Sequence, residues 1–125
     1  MFRVFDNKKK CWVKDNIYLT PDDELVLIKE SAFGMVKTPI ELSKDRYIYH
    51  RDIGLTDKTG REVFEGDYVK ASVSEDNEEI GLVTYAYQLS AYVILCVNND
   101  TFYTLGTETS DDIQVIGNVF DGYEE

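Results

Sequence analysis

The chain is expected to be mainly β, with a small barrel in the C-terminal half and a β-rich N-terminal elaboration. Three observations predict this. Nine Tyr against two Pro, with many Val, Ile and Thr, favour strands over a helical bundle. Five short β-like segments follow one another from Tyr68 to Phe120 with turns between them, a spacing that suits a small closed barrel better than an open sheet. Between Thr56 and Val69 the turn chemistry and the strand pattern agree, a D-x-x-G turn leading to a short strand and then Gly66-Asp67-Tyr68-Val69 opening the next. The order of strand lengths and this Gly-Asp opening make the expected barrel SH3-like. Residues 1–50 form the expected extension and 51–125 the expected barrel.

Taken in order, Phe2 to Asp6 alternates large apolar with polar residues. After Asn7-Lys8-Lys9-Lys10, a second β-like segment runs from Cys11-Trp12-Val13 to Leu19, giving an opening hairpin. Thr20-Pro21-Asp22-Asp23-Glu24 carries helix-start chemistry, a Thr N-cap, Pro at N1 and acids in the first turn. The same residues also suit an acidic hairpin turn. The run Leu25-Val26-Leu27-Ile28 favours the hairpin, because it is continuously apolar and the helical stripe ends by Gly34. Ser31 to Thr38 reads as loop, and Arg46 to His50 as a further β-like segment.

From Asp57 the signals sharpen. Asp57-Lys58-Thr59-Gly60 reads as a type I turn, with Asp at its first position and Gly at its fourth. In Tyr68 to Val73, Val69, Ala71 and Val73 share one face and Tyr68, Lys70 and Ser72 the other. An acidic loop, Ser74 to Glu79, precedes the segment Ile80 to Tyr87. Ala91 to Val97, an Asn98-Asn99-Asp100 turn, Thr101 to Leu105, a polar loop to Asp112 and Ile113 to Phe120 complete the chain. At 125 residues, 43% apolar and 13% aromatic, the chain can bury a real core.

Charge is segregated. All thirteen Lys and Arg lie at or before Lys70, so the net charge of −11 resides in residues 71–125, which carry eleven acids and no base. Phosphate contacts need cations, so nucleic-acid binding through residues 71–125 is disfavoured, as is an anionic membrane surface. The acidic half is then either a solvated face that keeps the protein soluble, a docking surface for a cationic partner, or a mimic of DNA. No apolar run approaches the roughly 20 residues that span a bilayer, and no signal-peptide h-region follows Met1. Cys11 and Cys96 are expected to stay buried or partly buried thiols, and the chain to be cytoplasmic.

Candidate chemical groups each have a bland alternative. Glu65-Gly66-Asp67 could pair carboxylates for acid–base work or bind Mg²⁺. As a strand-start turn the same triplet needs Gly66 for an unusual φ and Asp67 as a local acceptor, and that reading is preferred. Gly117 and Asn118 are read the same way, as close backbone approach and local hydrogen bonding. His50 is the only histidine, and no P-loop, G-x-G-x-x-G after a strand, C-x-x-C or G-x-S-x-G occurs. The acidic loops lack the EF-hand pattern. The expectation is no enzyme activity, no cofactor and no metal. Tyr85, Tyr87, Tyr92 and Tyr103 could form an aromatic strip, read as packing or as part of a protein interface rather than a base-stacking platform.

Three stretches resemble the YopX-like family, small uncharacterised proteins of phages and prophages of Gram-positive bacteria. Phe2-Arg3-Val4-Phe5-Asp6 is like the family's F-R-x-W-D opening with Phe5 in place of Trp. Asp57 to Val69 is like D-x-x-G-x-x-[IV]-[FY]-E-G-D-x-V, and Val115-Ile116-Gly117-Asn118-Val119-Phe120 is like its V-I-G-N-[IV]-[FY] ending. Ile53-Gly54-Leu55 departs from the family's T-G-L. The resemblance implies a β-rich phage protein acting in a host cell and brings no catalytic residues. It marks Asp57, Gly60, Glu65, Gly66, Asp67, Gly117 and Asn118 as a structural motif. The expected function is a non-enzymatic accessory module that binds an unknown protein or itself through the acidic half. The alternative is nucleic-acid binding at the N-terminal basic hairpin, with Arg3, Lys8, Lys9, Lys10, Lys14 and Trp12.

Overall fold

The computed structural model describes residues 2–14, 16–30, 34, 37–74, 77–105 and 113–124, and no helix occurs among them. In chain order the strands are β1 (Phe2–Asp6), β2 (Cys11–Trp12), β3 (Ile17–Leu19), β4 (Leu25–Glu30), β5 (Lys37–Glu41), β6 (Tyr47–Thr56), β7 (Glu62–Phe64), β8 (Asp67–Ser74), β9 (Asn77–Ala86), β10 (Ala91–Cys96), β11 (Phe102–Thr104), β12 (Ile113–Asn118) and β13 (Gly122–Tyr123). They fall into two compact units, one of Arg3–Tyr49 and one of His50–Glu125 with Met1–Phe2.

In the first unit the opening hairpin is present but shorter than expected. Phe5 pairs with Trp12 and Asp6 with Cys11, and the Val13 N–H donates to the Val4 carbonyl at 2.9 Å. The single segment expected from Cys11 to Leu19 is instead two strands in different sheets, since β3 pairs with β4. Thr20 to Glu24 makes the hairpin turn rather than a helix start. The Thr20 hydroxyl accepts the Glu24 N–H at 3.1 Å and Asp23 takes a φ of 60°, so the N-cap chemistry is present but closes the hairpin turn between β3 and β4. β-branched Val26 and Ile28 then continue as strand, pairing with Glu41 and Pro39. Pro39 is tolerated because β5, among the described residues, pairs only with β4 and is a sheet edge. Most of the loop expected from Ser31 to Thr38 lies outside the described residues, although Lys37 and Thr38 already belong to β5. Val4, Phe5 and Leu25 are the buried apolar side chains described in this unit.

One ion pair organises that unit. Asp6 is buried, and the Arg46 guanidinium grips its carboxylate at both oxygens, Nε to Oδ1 at 2.9 Å and a terminal nitrogen to Oδ2 at 2.8 Å. The Lys8 and Lys9 amides also donate to Oδ1, while the Asn7 N–H donates to the Arg46 carbonyl. The lysine turn is therefore fixed by an acid, and Lys8, Lys9 and Lys10 project outward, exposed.

The second unit is built on a six-stranded sheet of order β11-β10-β9-β8-β12-β13, curled into a half-barrel. Each of the five strands expected between Tyr68 and Phe120 is present, and all their pairings are antiparallel. Register sets the core. Val69 pairs with Val115, Ala71 with Ile113 and Ile94 with Val83, so small or β-branched side chains from four adjacent strands meet on one face. With Val63 from β7 they form the buried cluster, against which Ile53, Tyr92 and Leu105 pack. Full burial of one Val or Ile contributes about 1.5–3 kcal/mol. The acidic loop residues 75 and 76 and the polar loop 106–112 lie outside the described residues.

The Arg46 hydrogen bonds are the main cause that holds the Asp6 carboxyl well below its ordinary value of 3.8; burial opposes them and the Lys8 and Lys9 amides assist. A depressed carboxyl contributes stability above its ordinary range, lost as pH falls through its folded value. Arg46→Ala should therefore lower the melting temperature at neutral pH and reduce its steepness of decline on acidification below 3.8. Thermal melts of both proteins across that range check this, and parallel acid limbs would refute it.

Candidate functional site

The motif residues of the second unit come together at two turns. At the first, the Gly60 N–H donates to the Asp57 carbonyl at 3.0 Å, closing the expected turn. The Asp57 side chain does more than cap it. Its Oδ1 accepts the Thr59 N–H at 2.9 Å, the Thr59 hydroxyl at 2.7 Å and the Arg61 N–H at 2.9 Å, and its Oδ2 accepts the Val115 N–H of β12 at 2.9 Å. Burial pushes this carboxyl up. The Thr59 hydroxyl and the three amides outweigh that and bring it down to about 2. With every described acceptor position directed at local N–H and O–H groups, Asp57 is placed as a clamp between the turn and β12.

The second turn joins β7 to β8. Gly66 has a φ of +84°, which an L side chain rarely adopts. Its N–H donates to the Val83 carbonyl at 2.8 Å and its carbonyl accepts the Val119 N–H at 2.9 Å, so both sides of the turn are tied to neighbours. A Cβ at Gly66 would come within 2.8 and 2.9 Å of His50 Nδ1 and Nε2, whose ring stacks on Phe120 with centroids 5.2 Å apart. Asp67, almost wholly buried, accepts the Phe64 N–H at 2.9 Å, and Glu65 accepts the Arg51 N–H at 3.0 Å. His50 thus lies beside Gly66, while the two carboxylates on either side of the glycine each bind a different backbone amide.

Gly117 and Asn118 complete the arrangement. Asn118 pairs with Asp67 across β12 and β8; its Oδ1 accepts the Phe120 and Asp121 amides, each at 3.0 Å, and its Nδ2 donates to the Asp121 carboxylate. A Cβ on Gly117 would collide with the Gly122 carbonyl. The register jumps at Ile116, between Val115 and Gly117, where β12 bulges against β8. The structure therefore brings the Asp57–Val69 and Val115–Phe120 stretches into direct contact. Neither the Asp57–Val115 bond nor the bulge has a local sequence signal.

Sequence reading also missed the outer face of the sheet. Phe102 pairs with Leu95, Leu95 with Leu82, Leu82 with Tyr68, Tyr68 with Gly117, and Gly117 with Tyr123. One cross-strand row therefore runs through all six strands. The Tyr68 and Tyr123 rings, both paired with Gly117, lie 4.6 Å apart, covering the position without a side chain. At the other end Leu95 and Phe102 are 45% and 50% exposed. Period-two alternation along each of these strands was the available signal, but which residues align across strands is not written in any one of them.

The aromatic strip is partly assembled. The Tyr85 ring meets Tyr87 and Tyr92 edge to face, at 5.0 and 5.1 Å, whereas Tyr103 pairs with Ile94. Tyr92 packs on the core, and its hydroxyl is pushed upward by burial and by the Glu65 charge. In the first unit the Arg3 guanidinium covers the Trp12 ring at 4.4 Å and the Phe5 ring meets its edge, so Trp12 is engaged within the fold. Both cysteines are free thiols; Cys96 is buried as expected, whereas Cys11, expected to be at least partly buried, is exposed in the short strand β2.

Two substitutions separate these roles. Asn at 57 keeps one acceptor but presents an NH₂ to a buried N–H, so Asp57→Asn should cost about 1–3 kcal/mol and remove the acid-side loss of stability expected between the ordinary 3.8 and about 2. Denaturant melts at neutral pH and near pH 3 measure both, and an unperturbed midpoint would count against the clamp. Gly66→Ala should cost about 1 kcal/mol for φ alone and more for the His50 contact. Adding His50→Ala should return the steric part only, a non-additivity that a double-mutant cycle reads directly, while Asp67→Asn should be milder than Gly66→Ala.

The fold has a solved counterpart. The crystal structure of protein EF1440 from Enterococcus faecalis aligns with a TM-score of 0.51 at 22% identity, covering 95% of this chain and 92% of that one. At that identity the likeness speaks for the fold. No curated protein matches the chain. The family model described as YopX protein matches residues 1–124, and the chain belongs to the YopX family.

Proposed function

We propose that the chain is a non-enzymatic accessory module of a phage or prophage, acting in the host cytoplasm, whose C-terminal unit binds another protein through its acidic surface. One observation carries the reading. Residues 71–125 hold no Lys or Arg, and the last cation before them, Lys70, is engaged by Glu78 at 3.6 Å. A stretch whose charges are all acidic attracts basic partners over about a Debye length, roughly 8 Å at physiological salt. The placement of Asp57, Asp67 and Asn118 supports a structural rather than a catalytic motif, because each accepts backbone amides within its own turn or from the adjacent strand. The curled sheet and the Gly66 turn that opens β8 support grouping this unit with SH3-like barrels as part of the same proposal.

The test is retention of host proteins on the immobilised chain at low and at moderate salt, beside an Asp100→Asn, Glu124→Gln variant that neutralises two exposed acids. Retention should fall with salt and be weaker on the variant. A chain that retains nothing and stays monomeric, or whose retention ignores both salt and the variant, would defeat the reading.

A further inference from the structure

The end of the outer row at Phe102 coincides with a sheet edge. β11 pairs only with β10 among the described residues. The Cys96 N–H donates to the Thr101 carbonyl at 3.1 Å and the Leu105 N–H to the Tyr92 carbonyl at 3.2 Å, with Tyr103 opposite Ile94 between them. Hydrogen bonding alternates along an antiparallel pair, so residues 101, 103 and 105 direct their main-chain groups at β10. Those of Phe102 and Thr104 point the other way, off the edge of the sheet. No described residue bonds to them.

Edges are ordinarily blunted by shortness, Lys, Pro, a bulge, an inward charge or a covering element. Phe102-Tyr103-Thr104 is short but carries no Lys, Pro, bulge or charge, and its pairing with β10 is regular over all three residues. Its side chains extend the row, with Phe102 and neighbouring Leu95 and Val97 each more than two-fifths exposed. Charge selects the occupant. Exposed Asp100 lies two residues before β11, and no base lies beyond Lys70 in the sequence. A second copy paired edge to edge would set Asp100 against its own counterpart in a chain of net charge −11, whereas Lys or Arg on an incoming strand would meet it.

We propose that β11 is an acceptor edge for β-strand addition, taking an extended, Lys- or Arg-bearing segment of a partner protein whose alternate apolar side chains continue the row from Phe102. The inference rests on the reading of the chain as a protein-binding module and names the surface it uses. Backbone hydrogen bonds to Phe102 and Thr104 supply affinity, and the row together with Asp100 supplies selectivity.

The probe is a displayed library of random peptides about nine residues long, long enough to add one strand, selected on the full chain. Enriched peptides should carry Lys or Arg with apolar residues at alternate positions. The best of them should slow amide exchange at Phe102 and Thr104, and lose binding about tenfold or more when alternate amides on one side are N-methylated, a change that spares charge and side chains. Phe102→Asp should weaken it by a similar factor, with circular dichroism confirming that the variant is folded. Enriched peptides that bind the N-methylated form equally, or protect amides elsewhere, overturn the edge, as does concentration-dependent pairing of the chain with itself that protects Phe102 and Thr104. Salt-sensitive retention of host proteins that persists in Phe102→Asp would sink this inference while leaving the protein-binding function standing.

Discussion

The C-terminal unit depends on one buried carboxylate. Asp57 joins a tight turn to a strand 58 residues further on, accepting from Thr59 and Arg61 with one oxygen and from Val115 with the other. Beside it the Lys58 N–H donates to the Ile113 carbonyl at 3.0 Å, so the turn and β12 are fastened at two successive points. Burying a charge is unfavourable unless its lone pairs are occupied, and here four donors occupy them. The bond also places β12 against β8 with Val115 opposite Val69, and past the bulge at Ile116, Gly117 falls opposite Tyr68 and Asn118 opposite Asp67. A loss at Asp57 is therefore felt at the Gly66 turn, through Val119 and the Gly66 carbonyl, without any change in the residues of that turn.

A second acid plays the matching role in the N-terminal unit, by a different physical route. Asp6 offsets its burial with a guanidinium, and Asp57 offsets its burial with neutral donors. The difference shows in what each can replace. An amide at Asp57 would retain some of its acceptors, but no neutral side chain can match a bidentate Arg. It also explains a feature of the sequence that charge counting conceals. The first seventy residues are balanced in sign, yet Arg46 is committed to Asp6, so the exposed cations that remain near β1 and β2 are the lysines of the turn and Lys14.

Local chemistry in the sequence made the turns and strands legible, because their determinants lie within a few residues. Asp57 with Gly60, Gly66 before Asp67, and the apolar run from Leu25 each specify their element without outside help. The split between β2 and β3 was not legible, since nothing in Cys11 to Leu19 says that its two ends pair in different sheets. Of the candidate site, the residues were legible and their joints were not. Asp57 to Val115, Asp6 to Arg46 and the six-strand row are all matters of long-range register, and a one-residue slip would give each a different partner. The Ile116 bulge is such a slip, built in, and it decides that Gly117 rather than Ile116 faces Tyr68.

The two faces of the six-stranded sheet answer different physical demands. On the core face side chains are small or β-branched, Val, Ile and Ala, and gather in one buried cluster. On the outer face the row pairs large groups, Tyr, Leu and Phe, and their burial declines from Tyr68 and Tyr123 toward Leu95 and Phe102. A face meant only for water gains nothing from such a gradient, because each exposed apolar side chain leaves surface that burial would favour removing. Nor does self-pairing answer it well, given a net charge of −11 confined to one half of the chain. Repulsion of that kind would set the short β11 edge against its own copy without Lys or Pro in β11, where either would obstruct the oppositely charged strand proposed for it. The acids and the apolar edge are in this respect one arrangement.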